Sequence, residues 1–200
     1  MHAKNTMQNQ DNRAYLCLSK QIYNYNKNTL VQLRHHDQEP IRVWRNEQIA
    51  ILRQKKPLTQ PEQAAYYSTV VAKLFELEQP NQLLFSFLLN NVLIGYGGLV
   101  HISWEDKNAE ISFLLETKRN ENIDLFKHEW GIYLQMLKEI AFEQLHFQKI
   151  YTYAYDIRPH LIDMLLDNGF VQEARLHNHV FIENEFCDVL IHAFFNQKNI

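Results

Sequence analysis

Cysteine is nearly absent from this chain: Cys17 and Cys187 are the only two in 200 residues. They lie far apart and match no metal-ligand or redox spacing, which leaves out a disulfide framework and a dithiol motif. Such usage points to a reducing cytoplasm, with each thiol a small hydrophobe. Glycine and proline are equally scarce, with five of each, and no Pro- or Gly-rich linker divides the chain. No apolar run exceeds strand length, so no segment reads as a transmembrane helix. The opening Met1–Gln10 is polar and lacks the apolar centre of a signal peptide. No excess of one charge sign occurs either. A formal net charge of -3 offers no global attraction to nucleic acid or to a membrane, and neither is expected as a partner.

What is present is a 46% hydrophobic composition, enough to bury a core in one domain. The first dozen residues read as polar and disordered, and a weak pattern between Tyr15 and Tyr25 suggests a short strand. On this reading residues 1–28 form an extension and residues 29–196 the domain. Leu30, Val31 and Leu33 mark a strand ending at Arg34. Asp37 then reads as the N-cap of a helix carrying Ile41, Trp44, Ile49 and Leu52. Thr59-Gln60-Pro61-Glu62 opens a second helix with a cap, an early proline and an early acid. Gln82–Leu89 is an apolar strand, Asn90-Asn91 a tight hairpin turn, and Val92–Ile102 the next strand. Its Gly95, Gly97 and Gly98 signal a bulge or a close backbone approach. Ala109–Glu116 completes a three-stranded meander.

A long charged loop is expected next, leading into a helix with Trp130, Tyr133, Leu134, Leu137 and Ala141 on one face. Lys149–Tyr155 alternates strictly, with Tyr151, Tyr153 and Tyr155 on one side. Asp156 reads as the cap of a short helix that ends at Asn168-Gly169. Two strands, roughly Val171–Glu183 and Phe186–Phe195, close the chain.

Several phrases, in this order, resemble the GNAT acetyltransferases, in particular their ribosomal-protein and amino-sugar branch. They are Ile41-Arg42-Val43-Trp44-Arg45-Asn46, Leu93-Ile94-Gly95-Tyr96-Gly97-Gly98-Leu99 and Ala109-Glu110-Ile111-Ser112-Phe113-Leu114-Leu115. Ala141-Phe142-Glu143-Gln144-Leu145 and Asn168-Gly169-Phe170-Val171-Gln172-Glu173 complete the set. The resemblance covers roughly Leu30 to Phe195. It implies an α+β fold with a mixed, bent central sheet of about seven strands flanked by helices. It also implies acetyl-CoA as co-substrate and transfer of acetyl to an amine. A small amine, in particular an amino group on a nucleotide-linked sugar, is the leading acceptor. A protein N-terminus or lysine, or a non-catalytic binding module, are the alternatives.

The family cradles the CoA pyrophosphate in a glycine-containing loop at a helix N-terminus. Lys118–Gly131 contains only Gly131 and lacks that loop. Lys118, Arg119 and Lys127 are the candidate replacements.

By resemblance, the backbone of Phe113, Leu114 and Leu115 meets the pantetheine and the thioester carbonyl, and Asp156 joins the cofactor-binding set. Glu110 is the candidate general base, on the expectation that burial favours its proton uptake. Leu165 stands where many relatives carry an acid tyrosine, and Tyr155 is the candidate substitute. Trp44, Arg45 and Arg53 suit a sugar ring and a phosphate as acceptor contacts, with Arg42 beside them. His179 is expected on the acceptor side with His177. The grouping of His177 and His179 with Asp188 or His192 has no metal-site motif behind it, and no metal is expected. A homodimer is a further expectation.

Overall fold

The computed structural model describes residues 13–197; the disorder expected for the first dozen residues lies outside the described residues. Eight strands form one sheet in the order β1-β2-β3-β4-β5-β6-β8-β7. They are β1 Ile22–Tyr25, β2 Asn28–Gln32, β3 Leu83–Leu89, β4 Val92–Ser103, β5 Asn108–Leu115, β6 Lys149–Tyr155, β7 Val171–Ile182 and β8 Glu185–Phe195. Every neighbouring pair is antiparallel except β5 with β6. This is the mixed, helix-flanked α+β sheet the sequence implied, with eight strands in place of about seven.

The hairpins follow from local chemistry. Asn90 and Asn91 both have positive φ, 49° and 66°, as the turn joining β3 to β4 requires. Glu183 and Asn184 do the same between β7 and β8, at 49° and 67°. Helix α2 starts at Gln60–Tyr66 with a complete capping box between Thr59 and Glu62. It continues through a π-helical turn, Tyr67–Val71, to Ala72–Leu74.

Four expectations shift. Helix α1 spans Gln38–Glu47 and stops short of Arg53, which lies beyond a 3-10 turn at Ile49–Ile51. Asp37 precedes that helix without capping it. Its carboxylate instead accepts two bonds from Arg34 and one from Ser86 Oγ, because a buried carboxylate gains more from a guanidinium than from one amide. The long loop before the main helix is itself helical. Helix α3 covers Thr117–Glu121 and α4 covers Ile123–Lys138, capped by the Asn122 side chain on Leu125 N–H. Phe126, fully buried, extends the apolar stripe one turn upstream of Trp130. Helix α5, Pro159–Asp167, follows Arg158 and has no side-chain cap. Asp156 pairs with Arg175 at 2.8 Å instead. Gly169, φ 80°, ends that helix as expected.

The domain also begins earlier than residue 29. Tyr15 is buried, stacks on Phe75 and exchanges hydrogen bonds of 2.8 Å with the carbonyl and amide of Leu84. Strand β1 extends the sheet beside β2.

Helix α4 lies on the face that presents Phe87 and Phe113. Tyr133 stacks on Phe113 with ring centroids 3.8 Å apart, and Trp130 meets Phe113 edge-on at 4.6 Å. Helices α1 and α2 occupy the face that presents Ser86, Tyr96 and Leu114. Arg45 donates to Tyr96 Oη, and Gln48 Nε2 donates to the Leu115 carbonyl.

Gly97 permits the close approach anticipated for β4. A Cβ there would lie 2.0 Å from the Ser112 carbonyl oxygen, 2.7 Å from Phe113 Cα and 2.7 Å from Tyr133 Oη. The first two are backbone and cannot yield cheaply. Gly97→Ala is expected to lower the unfolding free energy by about 2–3 kcal/mol. A Cβ on Gly131, in the interior of α4, meets nothing nearer than 3.6 Å. Gly131→Ala is therefore expected to stabilise by about 0.5–1 kcal/mol. Urea unfolding of the two variants should move in opposite directions.

Candidate active site

The sheet opens at one place. Strands β5 and β6 pair only at Asn108 with Lys149, Ala109 with Ile150 and Glu110 with Tyr151. Beyond Glu110 each keeps its outer partner, β4 and β8, while the two inner edges part. Main-chain groups alternate along a strand, so one bond sets the direction of the rest. Glu116 N–H donates to Ile94 O on β4. Even-numbered positions of β5 therefore face β4, and Ile111, Phe113 and Leu115 face the opening. Asp156 N–H likewise donates to Asp188 O, which turns the main chain of Tyr153 and Tyr155 toward the opening from the other side. Gln48 takes the Leu115 carbonyl and Ile157 N–H the Tyr155 carbonyl.

A cavity of about 370 Å³ fills the opening, within the range of small-molecule sites. Its wall takes residues from both sheet faces. Phe113, Trp130, Leu161 and Arg158 come from the α4–α5 side; Glu110, Arg53, His101, Tyr153 and Tyr155 come from the other. The cleft thus crosses the sheet.

Glu110 is buried, its side chain 7% exposed. Arg53, reaching in from the segment after α1, forms a direct ion pair with it. The guanidinium also sits over the Tyr153 ring, 4.2 Å from its centroid. An imidazole stands near as well: His101 Nε2 lies 3.9 Å from Glu110 Oε2. His101 has φ 50°, at the irregularity in β4 between Val100 and Ser103. A non-glycine residue in that region is uncommon, and here the bulge aims an imidazole at the buried carboxylate. Tyr155 lies beside Tyr153, rings 6.2 Å apart. Burial raises the Tyr155 phenol above its ordinary value, the neighbouring Tyr153 adds to this, and Arg53 opposes it.

The sequence-derived candidates separate into two groups. Glu110, Tyr155, Phe113, Arg45 and Arg53 line one cleft. His179 stands 6.1 Å from the Tyr153 ring, beside that cleft. The others lie elsewhere. Leu114 faces β4 with its backbone and is a core side chain, 4% exposed; the strict alternation of β5 excludes it from the opening. Trp44 and Lys118 line a separate recess with Glu47, Glu116, Thr117 and Glu121. Arg119 is held by Glu116 and by the buried Glu129, and Asp156 by Arg175. Arg42 is tied to Glu39 and the Leu58 carbonyl. Asp188 accepts from Arg175, from Asn178 N–H and from His177. Among the described residues no group of three His, Cys, Asp or Glu side chains could hold a metal ion.

Three lining residues escaped the sequence reading. His101 could have been noticed as a polar break in the apolar run of β4. Trp130 was read only as helix packing. Arg158 carries no local signal, since nothing in its neighbours shows that its side chain turns into the cleft.

Two kinds of likeness to known proteins accompany this fold. Residues 30–191 match the family described as "Acetyltransferase (GNAT) domain". The fold is similar to spermidine N-acetyltransferase from Vibrio cholerae in complex with CoA and spermine, with a TM-score of 0.74, 19% identity, and 87% of this chain and 98% of that one covered. A dodecameric structure of the Vibrio cholerae enzyme gives a TM-score of 0.73 and 20% identity over 88% and 98%. Ribosomal-protein-S5-alanine acetyltransferase from Vibrio fischeri gives 0.70 and 12% over 89% and 98%. No curated protein sequence matches the chain.

The Arg53–Glu110 pair ties the segment after α1 to β5. A double-mutant cycle with Arg53→Gln and Glu110→Gln should give a coupling energy of about 1 kcal/mol. The value stays below that of a fully buried pair because Arg53 is 46% exposed and solvent screens it. Additive effects in urea unfolding would mean the pair contributes nothing. On its match over residues 30–191, this chain belongs to the GNAT acetyltransferase domain family.

Proposed function

We propose that the protein transfers the acetyl group of acetyl-CoA to a small primary amine held on the Glu110 side of the β5–β6 cleft. The parting of β5 from β6 beyond Glu110 carries this reading. It leaves the Ile111 carbonyl and the main-chain groups of Phe113 and Tyr153 without strand partners, and an extended pantetheine arm presents amides that would satisfy them. The cleft crosses the sheet, so a thioester entering from the α4–α5 side would reach the wall that holds Glu110.

Each role follows from the chemistry of the step. The amine must shed a proton to attack, and Glu110 is the carboxylate in the cleft wall. Arg53 occupies it in the free protein. An incoming ammonium group competes with that guanidinium for Glu110, and the half-exposed Arg53 is free to swing toward solvent. Phe113 N–H, directed into the opening, is placed to donate to the oxygen on which charge develops. Tyr155, whose phenol burial keeps protonated at neutral pH, is the candidate donor to the departing thiolate.

For the acceptor itself, the cleft supplies Arg45 and Arg53 as cations and Tyr153 and Tyr155 as ring surfaces. Lys55 joins Arg53, Tyr153 and Tyr155 in the adjoining groove of about 810 Å³. Guanidinium and phenol groups suit an amine borne on a phosphorylated or hydroxylated ring, which supports a nucleotide-linked amino sugar. The likeness to polyamine acetyltransferases supports a second reading, an aliphatic polyamine, for which Glu110 is the counter-charge.

A panel of amino sugars, nucleotide-linked amino sugars and polyamines, read by CoA thiol release, separates the two. Glu110→Gln should lower kcat by about a hundredfold or more and leave CoA affinity unchanged. Tyr155→Phe should abolish the alkaline limb of the pH–kcat profile, which in the wild type lies above the ordinary tyrosine value. Unchanged kcat in Glu110→Gln across the pH range removes Glu110 from the mechanism.

A further inference from the structure

Arg158 is unlike every other arginine in the chain. Arg34, Arg42, Arg53, Arg119 and Arg175 each meet a carboxylate. Arg45 donates to Tyr96 Oη and to Gln54, and Arg13 sits over the Phe75 ring. The Arg158 side chain has neither a hydrogen bond, an ion pair nor a ring contact among the described residues, and its Nε is buried without a partner. Arg158 is half-buried, and a guanidinium N–H withdrawn from water with nothing to receive it is costly. Burial depresses it to about 10, which reflects the missing counter-charge.

Its position gives that missing partner an address. Arg158 lines the β5–β6 cleft with Trp130, Leu161 and Phe113, on the α4–α5 side of the sheet, across from the Glu110 wall. It is the residue immediately before α5, which opens on Pro159 and has no side-chain cap; the Leu161 and Ile162 amides bond to the Arg158 carbonyl. Further cations stand close by. Arg158 and Lys127 both hold the His160 imidazole below its ordinary value, after burial. Asp163 is the acid in this group, 3.8 Å from Lys127. The region is therefore a net-positive mouth with one preformed, unsatisfied guanidinium.

We infer that Arg158 is the anion contact for the phosphates of the acyl carrier, in place of the glycine-lined turn that this chain lacks. The inference rests on the acetyl-CoA reading above and concerns its opposite end. Lys118 shares a recess with Trp44, and Arg119 is held between Glu116 and Glu129; of the three replacements the sequence offers, Lys127 alone stands near Arg158, where both act on His160. Arg158 is the cation in the cleft wall on that side.

Calorimetric titration of the full chain with CoA and with pantetheine, which lacks the phosphates, tests this. Arg158→Gln should weaken CoA binding by about 10- to 100-fold and leave pantetheine binding unchanged. The unliganded variant should melt no lower than the wild type, since an unpartnered charge has been removed. Inorganic pyrophosphate should raise the melting temperature of the wild type and not of Arg158→Gln. Lys118→Ala should bind CoA as the wild type does. Equal CoA affinity in Arg158→Gln and wild type overturns the assignment, and so does an equal loss of CoA and pantetheine, which marks a structural role. A wild type that binds neither compound sinks the acetyl-CoA reading itself. The pyrophosphate shift then still decides whether Arg158 is an anion site.

Discussion

The separation of two parallel strands after only three residue pairs is the constraint on which the site depends. A parallel pair could continue past Glu110 and Tyr151, and doing so would satisfy the inner edges of both strands. Instead β5 follows β4 and β6 follows β8, each through a full antiparallel ladder. The two ladders diverge, and the gap is bounded by side chains that hold it open. Phe113 is clamped between Trp130 and Tyr133, and Tyr133 donates to the Ser112 carbonyl at 2.9 Å. Gly97 lets that hydroxyl and the β5 backbone sit against β4. The aromatic cluster thus holds β5 against β4 while the main-chain groups of Phe113 stay without strand partners.

Charge is distributed unevenly about this opening. On one side the buried Glu110 has the Arg53 guanidinium as counter-charge and, more distantly, the His101 imidazole as neighbour. On the other side Arg158 has none. Elsewhere buried ions are compensated: Asp37 by Arg34 and Ser86, Glu129 by Arg119. A carboxylate at one end of a cleft and a lone guanidinium at the other is the polarity that a molecule with a transferable group at one end and phosphates at the other would match.

Two departures from expectation share one cause. Lys118 and Arg119 lie away from the cleft because helix α3 forms where a loop is expected. That helix carries Thr117 and Lys118 toward α1, where Thr117 Oγ1 contacts Glu47. The same turn puts Arg119 within reach of Glu129 on α4.

Alternation and turn chemistry were sufficient for most of the fold. The strict pattern of Lys149–Tyr155, the Asn90-Asn91 turn and the Thr59–Glu62 capping box act through neighbours a few residues away, so a linear reading contains them. Glu110 and Tyr155 fall on strands that alternation already orders, while Arg53 lies beyond the end of the helix expected to carry it. The start of α4 was missed because its signals, the Asn122 cap and Phe126, lie in a charged stretch where apolar periodicity is weak. The tertiary structure alone decided which side of β5 carries free main-chain groups, that His101 and Arg53 meet Glu110, and that Arg158 meets nothing. Those are matters of which groups from distant elements converge on one cleft, and the pairing or isolation of a charge is set by such convergence, not by its neighbours in the chain.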